Sequence, residues 1–261
     1  MIKIEKLYDQ YIFDDDTYFA DYKYATNSTL KSSKGGSTHN MEHYINSDFP
    51  KSKALLLGSA FHCFFLEPEE FDKRFIWIPK VDRRTTEGKK VYQEYLDNSE
   101  GKEPISIEYK EAFECLEINL MKHPIVRKLM KGAKHETIHF WRDIETGVEC
   151  KGKIDIEGKN FLADLKTTSE RNGARVDKFK VFRDEYSIEQ QAAFYLDGTE
   201  KKDFYFIMCE LKAPYNVGVY KLRPESISRG REEYRSQLEE YALWLDGKEP
   251  TFYNNNKVIS V

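Results

Sequence analysis

The sequence predicts a mixed α/β domain with a central sheet flanked by helices and a first half rich in helix. Three observations point there. Residues 52–131 carry apolar side chains at helical spacing, whereas from residue 133 onward the apolar runs shorten to strand length and are separated by glycine-containing turns. The second half reads βββ-α-ββ-α in order. A hydrophobic content of 40%, with 17 Tyr and 17 Phe in 261 residues, supplies enough apolar surface for one large domain.

Taken in order, residues 1–50 read as irregular: an acidic, aromatic segment from Tyr11 to Tyr24, then Ser32-Ser33-Lys34-Gly35-Gly36-Ser37 as a flexible loop. Residues 51–132 form the helical half. A helix is expected over 52–67, with Leu55, Leu56, Phe61, Phe65 and Leu66 on overlapping apolar faces and Pro68 closing it. A strand over 75–79, a polar loop over 82–88, a helix over 89–98 and a longer helix over 107–131 complete this half. Residues 133–250 form the sheet-bearing core, with strands over 135–142, 148–156 and 160–167, a helix over 187–195, strands over 203–211 and 216–222, and a closing helix over 224–245. Residues 167–186 read as a long polar loop. No repeat or low-complexity tract divides the chain, so residues 1–261 are expected to form a single domain.

No run of 18 apolar residues is present, and the N-terminus lacks the apolar stretch of a signal peptide, so a cytoplasmic protein without membrane association is expected. Cys63, Cys115, Cys150 and Cys209 stand singly, which suits neither a zinc ribbon nor a disulfide framework nor an iron–sulfur cluster. The net charge of −4 argues against a uniformly basic surface but leaves room for a basic channel in an acidic shell.

The candidate chemistry lies in Gly152-Lys153-Ile154-Asp155 and Ala163-Asp164-Leu165-Lys166. A hairpin about Glu157-Gly158-Lys159-Asn160 makes Asp155 and Asp164 near cross-strand neighbours, and puts Asp164 and Lys166 on one face of their strand. Two carboxylates and an ammonium on one sheet surface make a costly core but a good cation site with an adjacent charge stabiliser. That combination points to metal-dependent phosphodiester chemistry. Three further features join it: Gly58-Ser59-Ala60-Phe61-His62 on a helix, Glu136 at the start of the first core strand, and Gln191 with Tyr195, four apart on one helical face.

Gly-x-x-x-His, Gly-x-x-Asp, Asp-x-Lys and Gln-x-x-x-Tyr, in that order over a βββα core, resemble the PD-(D/E)XK nuclease superfamily and its RecB-like branch. The nuclease domain of RecE-type (exonuclease VIII) phage and prophage exonucleases is similar over most of the chain, including Arg83-Arg84-Thr85-Thr86-Glu87-Gly88-Lys89 and Trp141-Arg142-Asp143. The resemblance implies a restriction-endonuclease-like fold. It implies His62, Asp155, Asp164 and the Leu165 carbonyl as ligands of Mg²⁺, with Mn²⁺ as a substitute. Lys166 would orient water or stabilise the transition state, supported by Gln191 and Tyr195. Glu136 reads either as a supporting acid or as an edge-strand charge.

The same resemblance implies a 5′-to-3′ exonuclease acting on double-stranded DNA ends in a bacterial host cell and leaving 3′ single-stranded tails for a single-strand annealing protein. A homo-oligomeric ring with a basic lumen would supply processivity. Candidate DNA-binding residues are Arg83 and Arg84, with Lys89 and Lys90, and Arg171 and Arg175 after the lysine strand. Two other readings stay open: an endonuclease of the same fold, and a non-catalytic protein that binds DNA ends.

Overall fold

The computed structural model describes residues 3–7, 24–47 and 52–260. Apart from Tyr24, the acidic, aromatic stretch from Tyr11 lies outside the described residues. The centre of the molecule is a six-stranded mixed sheet in the order β1-β4-β5-β6-β7-β8. Its strands are β1 (Ile4–Lys6), β4 (Lys134–Asp143), β5 (Glu149–Glu157), β6 (Phe161–Thr168), β7 (Asp203–Glu210) and β8 (Val217–Lys221). Only the β6–β7 pair is parallel, in the register Asp164↔Phe206 and Lys166↔Met208. A parallel pair needs a crossover, and α8 (Val176–Glu185) and α9 (Ile188–Thr199) provide it.

Apolar side chains cover both faces of the sheet. On one face, Ile156, Ala163, Leu165 and Ile207 pack with Leu57, Ala60 and Phe61 of α3 (Lys53–Leu66) and Phe113, Leu116 and Leu120 of α6 (Lys110–Lys122). On the other, Ile154, Leu162, Phe204, Phe206 and Met208 pack with Phe179 of α8 and Ile188, Ala192 and Leu196 of α9. A third cluster joins Trp141 and Phe194 to Tyr234, Leu238 and Tyr241 of α10 (Pro224–Leu245) and to Leu30 and Met41. The strands β4 to β6 therefore lie between helical layers, and polar groups placed on them are shielded from water.

Several elements depart from the sequence expectation, each for a local reason. The first fifty residues are not uniformly irregular: β1, α1 (Asn27–Ser32) and α2 (Thr38–Asn46) lie in them, with Thr26 and Ser37 accepting from the Thr29 and Asn40 amides as N-caps. Residues 33–37 are the turn between these two helices. Pro68 follows the end of α3 but also opens α4 (Pro68–Arg74), since proline suits the first helical turn.

The helical half also holds a two-stranded parallel sheet, β2 (Phe75–Ile78) with β3 (Glu103–Ser106), connected through α5 (Thr86–Asp97). The long helix expected over 107–131 is split into a 3₁₀ turn, α6 and α7 (Pro124–Met130). Pro124 cannot continue α6, and His123 Nδ1 accepts from the Val126 amide to cap α7. The loop expected over 167–186 contains α8, so two helices rather than one connect β6 and β7. The closing helix over 224–245 matches.

Candidate metal centre

The site forms where β4, β5 and β6 run side by side beneath α3 and α9. The β5–β6 pairing runs Glu157↔Leu162 and Ile156↔Ala163 and stops there. Asp155 and Asp164 stand one position beyond the last pair, where the strands part. Ile154 and Ile156 pack into clusters on opposite faces of the sheet, although residues two apart on a regular strand share a face. The strand therefore rotates at Asp155. In β4, Glu136 lies between His135↔Ile156 and Thr137↔Ile154 and adopts φ 52, a left-handed backbone that costs a non-glycine residue free energy and marks strained sites. The two irregularities lie opposite each other and bring Glu136 and Asp155 together.

His62, Glu136 and Asp155 each offer one ligand atom, and these atoms lie within 4.8 Å of one another. His62 comes from α3, whose start is capped by Ser52 and whose buried face holds Ala60, Phe61 and Cys63. Its Nε2 lies 2.5 Å from the Leu165 carbonyl, and its Nδ1 lies 3.4 Å from Asp155 Oδ2. The same Oδ2 accepts a 2.7 Å hydrogen bond from the Leu165 amide. One residue of β6 is thus engaged through both its amide and its carbonyl, holding a carboxylate and a histidine in fixed relation.

Asp155 is 9% exposed. Burial pushes its carboxyl up to about 7, and the Asp164 and Glu136 carboxylates push the same way, while His62 and Lys166 oppose them. Glu136 pairs with Lys153 at 2.9 Å through Oε2, but its buried Oε1 has no hydrogen-bond partner among the described residues. A buried carboxylate oxygen without a partner is costly. Three hard or borderline donors, one of them a carboxylate with an orphaned oxygen, suit a divalent cation, which would relieve both the repulsion and the desolvation.

Asp164, 5% exposed, points its carboxylate elsewhere: Oδ2 lies 2.8 Å from Lys166 Nζ and Oδ1 accepts from Gln191 Nε2 at 2.6 Å. Burial works to lower the Lys166 pKa, but the Asp164 and Asp155 carboxylates outweigh it and raise the pKa, so the ammonium stays charged. Tyr195 packs over Gly152 of β5, where an added Cβ would lie 2.9 Å from the ring. The tyrosine braces the strand that carries Asp155.

The arginines singled out from sequence stand apart from this cluster. Arg84 forks onto Asp82, Arg83 lies 4.3 Å over the Tyr92 ring, and Arg175 forks onto Asp177. Arg171 is exposed in the turn after β6. No hydrogen bond or ion pair among the described residues joins these four to the acids. Sequence reasoning assigned no role to Lys153 or to the Leu165 amide. Lys153 stands within the quoted Gly152–Asp155 motif, but its partner Glu136 comes from a strand whose irregular backbone leaves no sequence signature.

The fold can be set beside known proteins. A solved structure from Eubacterium rectale, provisionally described as an exonuclease, superposes with a TM-score of 0.64 at 15% identity, covering 97% of this chain and 96% of its own. An alkaline exonuclease from Laribacter hongkongensis reaches 0.41 at 11% identity over 90% and 97%. A phage-related exonuclease from Haemophilus somnus reaches 0.36 at 14% over 63% and 84%. Nothing among curated proteins matches. Residues 12–254 match the sequence profile of the PDDEXK-like domain of unknown function DUF3799, and with the acid–lysine strand and sheet order described above, the chain belongs to that family.

Proposed function

We propose that the protein is a divalent-cation-dependent deoxyribonuclease that degrades double-stranded DNA from its ends. The observation that carries this reading is the meeting of His62, Glu136 and Asp155 within 4.8 Å, beside the Asp164–Lys166 pair. His62, Glu136 and Asp155, with the Leu165 carbonyl beside them, would hold the cation; Asp164, which the family resemblance implies as a further ligand, would turn from Lys166 to reach it. Carboxylates and a carbonyl favour Mg²⁺, and the imidazole makes Mn²⁺ a workable substitute. Bound there, such an ion supplies Lewis acidity toward a phosphoryl oxygen.

The protein's own groups do the rest. Lys166, charged and held by Asp164, orients the attacking water and stabilises the negative charge that builds on the phosphoryl oxygens. Gln191 holds the Asp164 carboxylate, and Tyr195 steadies β5. Water adds to phosphorus, the P–O bond to the leaving sugar oxygen breaks, and that oxygen takes up a proton. The exonuclease description of the Eubacterium rectale protein of similar fold supports action at ends, and the RecE-like resemblance supports 5′-to-3′ polarity, 3′ single-stranded tails, a ring-shaped homo-oligomer and an annealing partner.

The test offers purified protein and Mg²⁺ three DNAs: blunt linear duplex labelled at either end, linear single strand and covalently closed circle. Early release of the 5′ label from linear duplex alone is the expected result. Cleavage of the circle would reassign the protein as an endonuclease. End binding without any cleavage would make it a non-catalytic end-binding protein.

A further inference from the structure

Helix α1 lies where the sequence predicts no element, yet several contacts fix it at the edge of the candidate site. The Ala25 amide donates to the Glu149 carbonyl at 2.8 Å and the Lys151 amide to the Ala25 carbonyl at 2.9 Å, tying the start of α1 to β5. Gln190 Nε2 donates to Asn27 Oδ1 at 3.3 Å, tying it to α9. Just past its end, Lys34 Nζ donates to Ser187 Oγ at 2.6 Å. Ser187 immediately precedes α9, and its carbonyl accepts from the Gln191 amide. Gln191 in turn holds Asp164.

These contacts place Lys31 beside the first turn of α9. Its side chain is half-buried, with Nζ 5.7 Å from the centre of the Tyr186 ring. Among the described residues no carboxylate lies within ion-pair distance of it. Burial lowers its pKa, and the Lys166 and Lys34 ammonium groups lower it further, with Glu233 opposing. Lys34 and Lys166 thus lie close enough to Lys31 to repel its charge, and among the described residues no carboxylate pairs with Lys31. Such a cluster is stabilised when an anion arrives.

We infer that Lys31 is a substrate-contacting residue that binds a backbone phosphate of the DNA strand being cut, next to the phosphodiester held at Asp164 and Lys166. This assignment rests on the nuclease reading above. It gives α1 a role: Lys31 sets where the strand enters relative to Lys166.

The experiment measures binding of blunt linear duplex to the full-length protein in EDTA, by fluorescence anisotropy over a salt series, and cleavage kinetics in Mg²⁺. Lys31→Ala is expected to weaken binding about tenfold, as loss of a charged hydrogen bond does, to flatten the salt slope by about 0.9 and to raise KM more than it lowers kcat. Lys31→Arg should restore all three, and Lys128→Ala on the exposed side of α7 should leave them unchanged. Wild-type protein that neither binds nor cuts duplex overturns the nuclease reading itself. Wild-type protein that does both, alongside a Lys31→Ala variant with the same affinity and salt slope, overturns the Lys31 assignment alone. Weakened binding at an unchanged salt slope, in Lys31→Gln as well as Lys31→Ala and with a lowered melting temperature, marks a packing role and also overturns it.

Discussion

The Asp155 carboxylate accepts a 2.7 Å hydrogen bond from the Leu165 amide, while the carbonyl of the same residue lies 2.5 Å from His62 Nε2. Leu165 itself is fully buried, and its side chain packs with Leu57 and Phe61 of α3. The main chain of β6 thereby sets the distance between a helix-borne imidazole and a carboxylate of the neighbouring strand. The hydrophobic core, through Leu165, fixes the geometry of the candidate metal centre.

Asp155 should make stability depend on pH in a direction opposite to that of an ordinary paired carboxylate. Its folded pKa of about 7 lies above the usual aspartate value, so the folded state holds the proton more tightly than the unfolded state between pH 4 and 7. Stability without metal should therefore fall as pH rises through that window and level off above it. The change is on the order of 3 kcal/mol. Urea unfolding in EDTA at pH 5 and pH 8 reads it. Asp155→Asn should remove most of the difference, and a wild-type protein more stable at pH 8 than at pH 5 would contradict the assignment.

Divalent cation should reverse that trend. Mg²⁺ or Mn²⁺ competes with the proton for the same carboxylates, so the rise in melting temperature on adding metal should be larger at pH 8 than at pH 5. His62→Ala should reduce the gain from Mn²⁺ more than that from Mg²⁺, because imidazole suits the softer ion. Thermal scans with each metal decide it.

Lys166 and Gln191 should differ in how much they matter. Lys166→Ala removes the ammonium proposed to stabilise the reacting phosphate and should lower kcat by at least ~100-fold. Gln191→Ala frees the Asp164 carboxylate without removing it and should cost about tenfold. Equal losses in the two variants would place Gln191 on the substrate rather than on Asp164.

Gly230 braces the helix that carries Gln191. An added Cβ there would lie 2.0 Å from the Glu189 carbonyl oxygen on α9. Backbone rather than a side-chain tip would have to move, so Gly230→Ala should destabilise the fold by at least about 2 kcal/mol. Denaturant midpoints test this. A variant with wild-type stability would mean that α9 and α10 can separate freely.

Most of the sheet was legible because its strands are bounded by turn residues, and because Asp155, Asp164 and Lys166 fall within short apolar runs where a charge is costly. The helix over 224–245 was legible from its proline start and unbroken helical pattern. Helix α1 was not, since six residues capped by Thr26 give too short a period to register. Helix α8 was masked by its many charged residues, although Phe179 and Phe182 supply an inward face. The closeness of Glu136 to Asp155 depends on a left-handed residue in β4 and a rotation in β5, neither of which leaves a mark in residue order. Gln191 and Tyr195 share a helical face in the sequence, but only the fold sends one to Asp164 and the other to Gly152.

The most direct measurement is release of acid-soluble nucleotides from linear duplex DNA by the wild-type protein and by Asp155→Asn, each with Mg²⁺ and with EDTA. Release by the wild-type protein in Mg²⁺ alone is the expected result, with folding of the variant confirmed by its thermal transition. Equal release in EDTA, or from Asp155→Asn in Mg²⁺, would contradict a cation site built on Asp155.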